Sequence, residues 1–184
     1  RRIIVPENLV GDVQNALSKA LDQTKIGNPL NRETRMGSIV DRKAVEVLNE
    51  KISKLKTETE LVYDGQHNLI DANFENGAFV TPKLFWNDKP FDKNISHEVE
   101  AFGPVSTLMP YKDAEEAAAL AKRGKGSLVG SIVSYDDKFV AETSWKMAST
   151  HGRIFVLNRD NAKESTGHGS PLPTLMHGGP GRAG

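Results

Sequence analysis

Short β-branched runs alternate with stretches of helical apolar spacing along the whole chain, and this alternation constrains the fold more than any other feature. Arg2 to Val5 is extended, and Pro6 suits the first turn of a helix, where its fixed φ is helical and its missing N–H would be unpaired anyway. Leu9, Val10, Val13, Leu17, Ala20 and Leu21 then recur on one helical face. Gly27-Asn28-Pro29 breaks the pattern, and Asn31 to Thr34 is a polar loop leading to Met36-Gly37-Ser38-Ile39-Val40. A second helix is predicted from about Asp41, with Val45, Leu48, Ile52 and Leu55 on one stripe. Leu61-Val62-Tyr63, Ala78 to Val80 leading into Lys83 to Trp86, and Val105 to Met109 read as extended. Asp113 followed by Glu116 makes an N-cap with a capping-box partner for an alanine-rich helix ending near Gly124. Leu128 to Val133 reads as a buried strand, Asp136 to Ala148 as a helix and Arg153 to Leu157 as a strand. Such alternation predicts an α/β fold, a mostly parallel sheet with helices on both faces.

The 184 residues fit one domain by size. Residues 163–184 are predicted to be a loop segment, because the last 20 residues hold 6 of the 16 glycines and 3 of the 9 prolines. With 24 basic residues against 24 acidic ones and no like-charge run, the chain is not expected to bind nucleic acid. No apolar stretch reaches the roughly 20 residues that span a bilayer, so no membrane association is expected. The absence of cysteine excludes disulfides, thiolate metal sites and a cysteine nucleophile within these residues. The chain opens directly on a strand with no Met, which reads as a piece of something longer; without a signal peptide, a cytoplasmic location is expected.

Several short motifs lose their chemistry in context. Gly179-Pro180-Gly181-Arg182-Ala183-Gly184 matches G-x-G-x-x-G, but a proline-rich loop precedes it and no helix follows to present N–H groups to a pyrophosphate. Ser170 beside His168 lacks the glycine that a nucleophile elbow needs after it. His97-Glu98 has Ala at 101, so a zinc helix lacks its second ligand and no metal site is expected. Asn94-Ile95-Ser96 is a glycosylation sequon only in a secreted protein. The informative stretch is His97 to Val105, where two carboxylates and an aromatic residue stand immediately before Gly103-Pro104 and a strand. There a carboxylate can accept hydrogen bonds from a ribose diol and a phenyl ring can hold a flat heteroaromatic. The competing reading is a solvated acidic loop with Phe102 tucked into the core.

Four segments occur in an order that resembles the catalytic domain of the aldehyde dehydrogenase superfamily. They are Arg1-Arg2-Ile3-Ile4-Val5-Pro6, Ile26-Gly27-Asn28-Pro29 with Met36-Gly37-Ser38-Ile39, Glu100-Ala101-Phe102-Gly103-Pro104-Val105, and Gly152-Arg153-Ile154-Phe155-Val156-Leu157-Asn158. The stretch from Ala162 to Pro173 and on through His177 to Gly184 narrows the resemblance to the dehydrogenase part of bifunctional ring-opening proteins of bacterial phenylacetate degradation. The semialdehyde dehydrogenases of benzoyl-CoA degradation are the nearest competitor. The resemblance implies that residues 1–184 are a partial aldehyde dehydrogenase catalytic domain. It also implies an NAD or NADP cofactor and an aldehyde substrate, a CoA-linked semialdehyde of aromatic catabolism.

By the same resemblance, Glu100 hydrogen-bonds the nicotinamide ribose and Phe102 packs against the nicotinamide side of the cofactor. Asn158 closes the family's Gly-x-x-x-x-x-Asn strand, where a structural role and a substrate contact both stand open. His177 stands where many members place an aromatic residue lining the aldehyde tunnel. The insertion from Lys163 to Met176 departs from the family pattern. The nucleophilic cysteine, the general-base glutamate and the N-terminal cofactor domain are expected upstream of Arg1, and a segment that assembles a homo-oligomer beyond Gly184. This chain would then hold no catalytic residue and be inactive alone. Two other readings are a non-catalytic α/β interaction module, with Glu100 merely on its surface, and a hydrolase using Ser170.

Overall fold

A computed structural model describes residues 1–66, 68–163 and 177–184. The chain forms two compact units, Arg1–Pro110 and Tyr111–Gly184. In the first, β1 (Arg2–Pro6) leads through a 3-10 turn at Glu7–Leu9 into α1 (Val10–Asp22), followed by β2 (Ile26–Gly27) and α2 (Arg42–Leu55). Then come β3 (Glu60–Asp64), β4 (Leu69–Ile70), β5 (Lys83–Trp86), the short α3 (Ile95–Glu98) and β6 (Val105–Tyr111). Four strands form a sheet in the order β1-β6-β5-β3, and β2 pairs with β4 in parallel. β5 runs parallel to β6, whereas β3 is an antiparallel edge strand whose register shifts between Leu61 and Tyr63.

Period-two alternation on β5 explains why both faces of this sheet are covered. Phe85 joins Leu48, Ile52 and Leu55 of α2, with Val80 and Val105, in one cluster. Leu84, pointing the other way, joins Val5 and Leu108 in a second, against which Val10, Val13 and Leu17 of α1 pack. Each fully buried large apolar side chain contributes about 1.5–3 kcal/mol. α2 begins where predicted: the Asp41 carboxylate accepts from the Ala44 N–H at 2.7 Å, taking one of the donors that a helix start leaves unpaired.

The second unit holds α4 (Ala114–Lys122), β7 (Ser127–Val133), α5 (Asp137–Met147) and β8 (His151–Leu157), with β7 parallel to β8 and α4 packed on α5. Asp113 caps α4 by accepting from the Glu116 N–H at 2.9 Å. The Glu116 carboxylate reaches back to the Lys112 N–H at 2.8 Å, one residue ahead of the cap. The sheets are thus mostly parallel, in an α/β fold. Among the described residues no helix is long and apolar enough to cross a membrane.

Three local expectations change. Pro6 ends β1 at φ −51° and ψ 133°, outside the helical region, so α1 begins only at Val10 after the 3-10 turn, and Ala20 faces solvent. Ala78 and Val80 are buried but their segment is irregular, because Pro82, lacking an N–H, cannot extend a ladder back from Lys83; the Ala78 carbonyl instead accepts from the Ile39 N–H at 2.9 Å. β7 is less buried than its apolar run suggests, with Ile132 covered but Val133 77% exposed. Replacing Phe85 by Ala is expected to cost about 3–5 kcal/mol, against less than about 0.5 kcal/mol for Leu30→Ala at a position 89% exposed. Urea unfolding midpoints of the two variants check the contrast.

Candidate functional site

The Glu100–Phe102 stretch is held from both sides by contacts remote in sequence. α3 has four residues, too few to be stable alone, so bonds from outside define it. The Glu58 carboxylate accepts from the Ile95 N–H at 2.8 Å. Asn87, fully buried, donates its side-chain amide to Ser96 Oγ at 2.9 Å and to the Lys93 carbonyl at 3.2 Å. The buried His97 ring lies 2.8 Å from the Pro90 carbonyl through Nε2 and 3.2 Å from an Arg2 guanidinium nitrogen through Nδ1.

Beyond α3 the backbone turns twice within a few residues. The Gly103 N–H donates to the Ala101 carbonyl at 2.9 Å, and the Val105 N–H to the Gly103 carbonyl at 2.8 Å. These are successive three-residue turns centred on Phe102 and Pro104, both at negative φ, as the proline ring requires. The Pro104 carbonyl then accepts from the Lys83 N–H at 2.9 Å and carries the chain into the β5–β6 ladder. A turn this tight throws its central side chain outward, and Phe102 is 88% exposed rather than tucked into the core. Gly103 permits the arrangement: a Cβ there would stand 2.5 Å from Leu48 Cδ2, and Leu48 is sealed in the core.

The loop closes one side of an open groove of about 300 Å³ on α2, lined by Val40, Val47, Leu48, Lys51, Glu100 and Phe102 among others. Both residues predicted to face a cofactor therefore share one surface, an exposed carboxylate beside an exposed phenyl ring. An acceptor beside an apolar ring fits a sugar diol joined to a flat ring. The groove lies where the chain enters β6, at the amino end of the strand, whereas ligands in open parallel sheets more often gather at carboxyl ends.

In the second unit the two predicted substrate-side residues are not brought together. Asn158 follows β8, and its side-chain oxygen accepts from the N–H groups of Asp160 at 2.9 Å and Asn161 at 3.1 Å, building a turn. His177 is exposed and precedes Gly178, whose carbonyl presses against the place of a Cβ on Gly152 near the amino end of β8. The length of β8 thus puts about 20 Å between the neighbourhoods of His177 and Asn158.

The glycines of the G-x-G-x-x-G match serve close backbone approach. A Cβ on Gly179 would lie 2.6 Å from the Ser127 carbonyl oxygen, and Gly181, at φ +58°, lies against the Lys125 carbonyl. Only a 3-10 turn at Gly181–Ala183 follows. Ser170, His168 and all of the Lys163 to Met176 insertion after Lys163 lie outside the described residues. Sequence reasoning missed Arg2, Glu58, Asn87 and the packing role of Gly103, because their partners stand far away along the chain.

Comparison with known proteins adds the family context. A family model described as "Aldehyde dehydrogenase family" matches residues 1–167. The chain is 38% identical over 182 residues to 3,4-dehydroadipyl-CoA semialdehyde dehydrogenase of Aromatoleum evansii, covering 98% of this chain and 35% of that protein. It is 43% identical over 150 residues to Protein MaoC of Klebsiella aerogenes, covering 81% and 44% respectively. It therefore spans less than half the length of either relative. Its fold resembles a point mutant of betaine aldehyde dehydrogenase from Staphylococcus aureus solved with NAD+, at a TM-score of 0.82 and 22% identity over 98% of this chain and 34% of that one. An aldehyde dehydrogenase point mutant from Bacillus cereus gives 0.72 at 26% identity, over 84% and 30%.

Gly103→Ala is expected to cost about 1–3 kcal/mol by overpacking against Leu48. Because the added methyl group and Leu48 compete for one space, combining it with Leu48→Ala should cost less than the sum of the single changes, as a double-mutant cycle of unfolding free energies will show.

Proposed function

Because the chain belongs to the aldehyde dehydrogenase family, we propose that it forms the nicotinamide-side wall of an NAD- or NADP-dependent enzyme that oxidises an aldehyde to the carboxylic acid. The observation that carries this reading is the common exposure of Glu100 and Phe102 on one groove, on a loop whose backbone is pinned at every turn. The Glu100 carboxylate accepts hydrogen bonds from the ribose hydroxyls. The Phe102 ring limits where the nicotinamide can lie and keeps water from that side. When bound, the oxidised nicotinamide accepts the hydride removed from the aldehyde carbon. Positioning of this kind acts on rate without bond chemistry, since a displacement of about 1 Å can cost ~100-fold.

The chain contains no cysteine, so on this reading a thiolate nucleophile and its base come from outside these residues. The substrate is a CoA-linked semialdehyde of aromatic catabolism; the similarity to a protein named as a CoA-semialdehyde dehydrogenase supports this class over simple aldehydes. His177 is proposed to face the substrate side, while Asn158 acts by shaping the turn after β8. The working enzyme is a cytoplasmic homo-oligomer.

In the full-length protein, Glu100→Gln should lower turnover by about 10- to 100-fold with an unchanged melting temperature. Unchanged steady-state kinetics with saturating cofactor would refute the assignment. Residues 1–184 alone should form no NAD(P)H from an aldehyde; a rise in absorbance at 340 nm would show that the nucleophile lies within them.

A further inference from the structure

The Glu100–Phe102 loop is fastened at one end to β1 and at the other to the residue just before it, and one fastening is a side chain that the reaction does not otherwise use. At its far end the Arg1 backbone nitrogen donates to the Val105 carbonyl at 2.8 Å, and the Thr107 N–H to the Arg1 carbonyl at 2.8 Å. At its near end His97, three residues before Glu100, meets Arg2 of β1. A guanidinium can only donate, so Nδ1 of His97 is the acceptor and the ring proton sits on Nε2, which donates to the Pro90 carbonyl. This neutral tautomer joins three segments at once: β1, the connection after β5, and α3.

We propose that His97 is the positioning residue of the Glu100–Phe102 loop, fixing the direction in which the chain leaves α3 and hence where the carboxylate and the ring stand on the groove. The part of this inference that concerns the cofactor rests on the function proposed above. The part that concerns the loop does not. A buried histidine of purely structural value would stabilise the unit as a whole; a positioning residue acts on the turns from Val99 to Val105 first. Glutamine is the discriminating replacement, because its side chain carries one acceptor oxygen and one N–H donor, whereas leucine fills the space with neither.

The test uses the full-length protein with His97→Leu, His97→Gln and Arg2→Leu, read by amide hydrogen exchange and by steady-state kinetics. In His97→Leu the Gly103 and Val105 amides should exchange about tenfold faster, with α1 and β3 of the same unit unaffected. Turnover with saturating NAD(P)+ should fall about tenfold, in the same direction as Glu100→Gln. Arg2→Leu should give the same local pattern more weakly, and His97→Gln should restore both readouts towards wild type. Unchanged exchange across residues 99–105 in His97→Leu would overturn the proposal. So would acceleration spread equally over α1 and β3 of the same unit, which marks a general loss of its stability. Faster local exchange combined with a Glu100→Gln variant of unaltered turnover at saturating cofactor would uphold the positioning role and refute the cofactor reading.

Discussion

Burial on both sides of β5 is the constraint on which the first unit depends. Leu84 and Phe85 are successive residues and are almost wholly covered, one beneath α1 and the other beneath α2. A strand can bury two neighbours in this way only if each face has its own helix, because successive side chains point to opposite sides. The positions of α1 and α2 follow from that demand.

The groove is a by-product of the same packing. α2 turns Leu48, Ile52 and Leu55 inward, and its remaining surface, with Val47 and Lys51, becomes the groove floor. Gly103 lets the incoming loop lie directly on Leu48, and two successive tight turns expose Phe102. A core residue and a loop glycine thus set where the Phe102 side chain stands. The polar bonds from Glu58, Asn87 and His97 secure the short helix before it, which has too few backbone bonds to secure itself.

How much could be read in advance depended on how local the cause was. The start of α2 near Asp41 and the Leu48, Ile52 and Leu55 stripe lie within a few turns of one helix, so spacing alone revealed them. The Asp113–Glu116 pair was legible for the same reason, although the glutamate bonds one residue earlier than the usual box. Pro6 was misplaced because two rules compete there: the ring fits a helix start and also the end of a strand, and pairing on β1 decided for the strand. The apolar run on β7 indicated a covered strand, but among the described residues it pairs only with β8 and leaves Val133 open.

For the site, the residue types were legible and their arrangement was not. Glu-x-Phe-Gly-Pro before a β-branched run marked a loop that offers a carboxylate and a ring, because those chemistries belong to the side chains themselves. Whether Phe102 faces solvent or core, and whether Asn158 and His177 meet, depended on contacts between residues tens of positions apart. The sequence by itself determined the alternation of elements, the helix caps and the chemical groups available, all set by interactions within one turn or one strand. Only the tertiary structure decided that Glu100 and Phe102 share a groove on α2 and that His97 ties their loop to β1, since burial and hydrogen bonding across the fold select among backbone paths that local preference leaves equal.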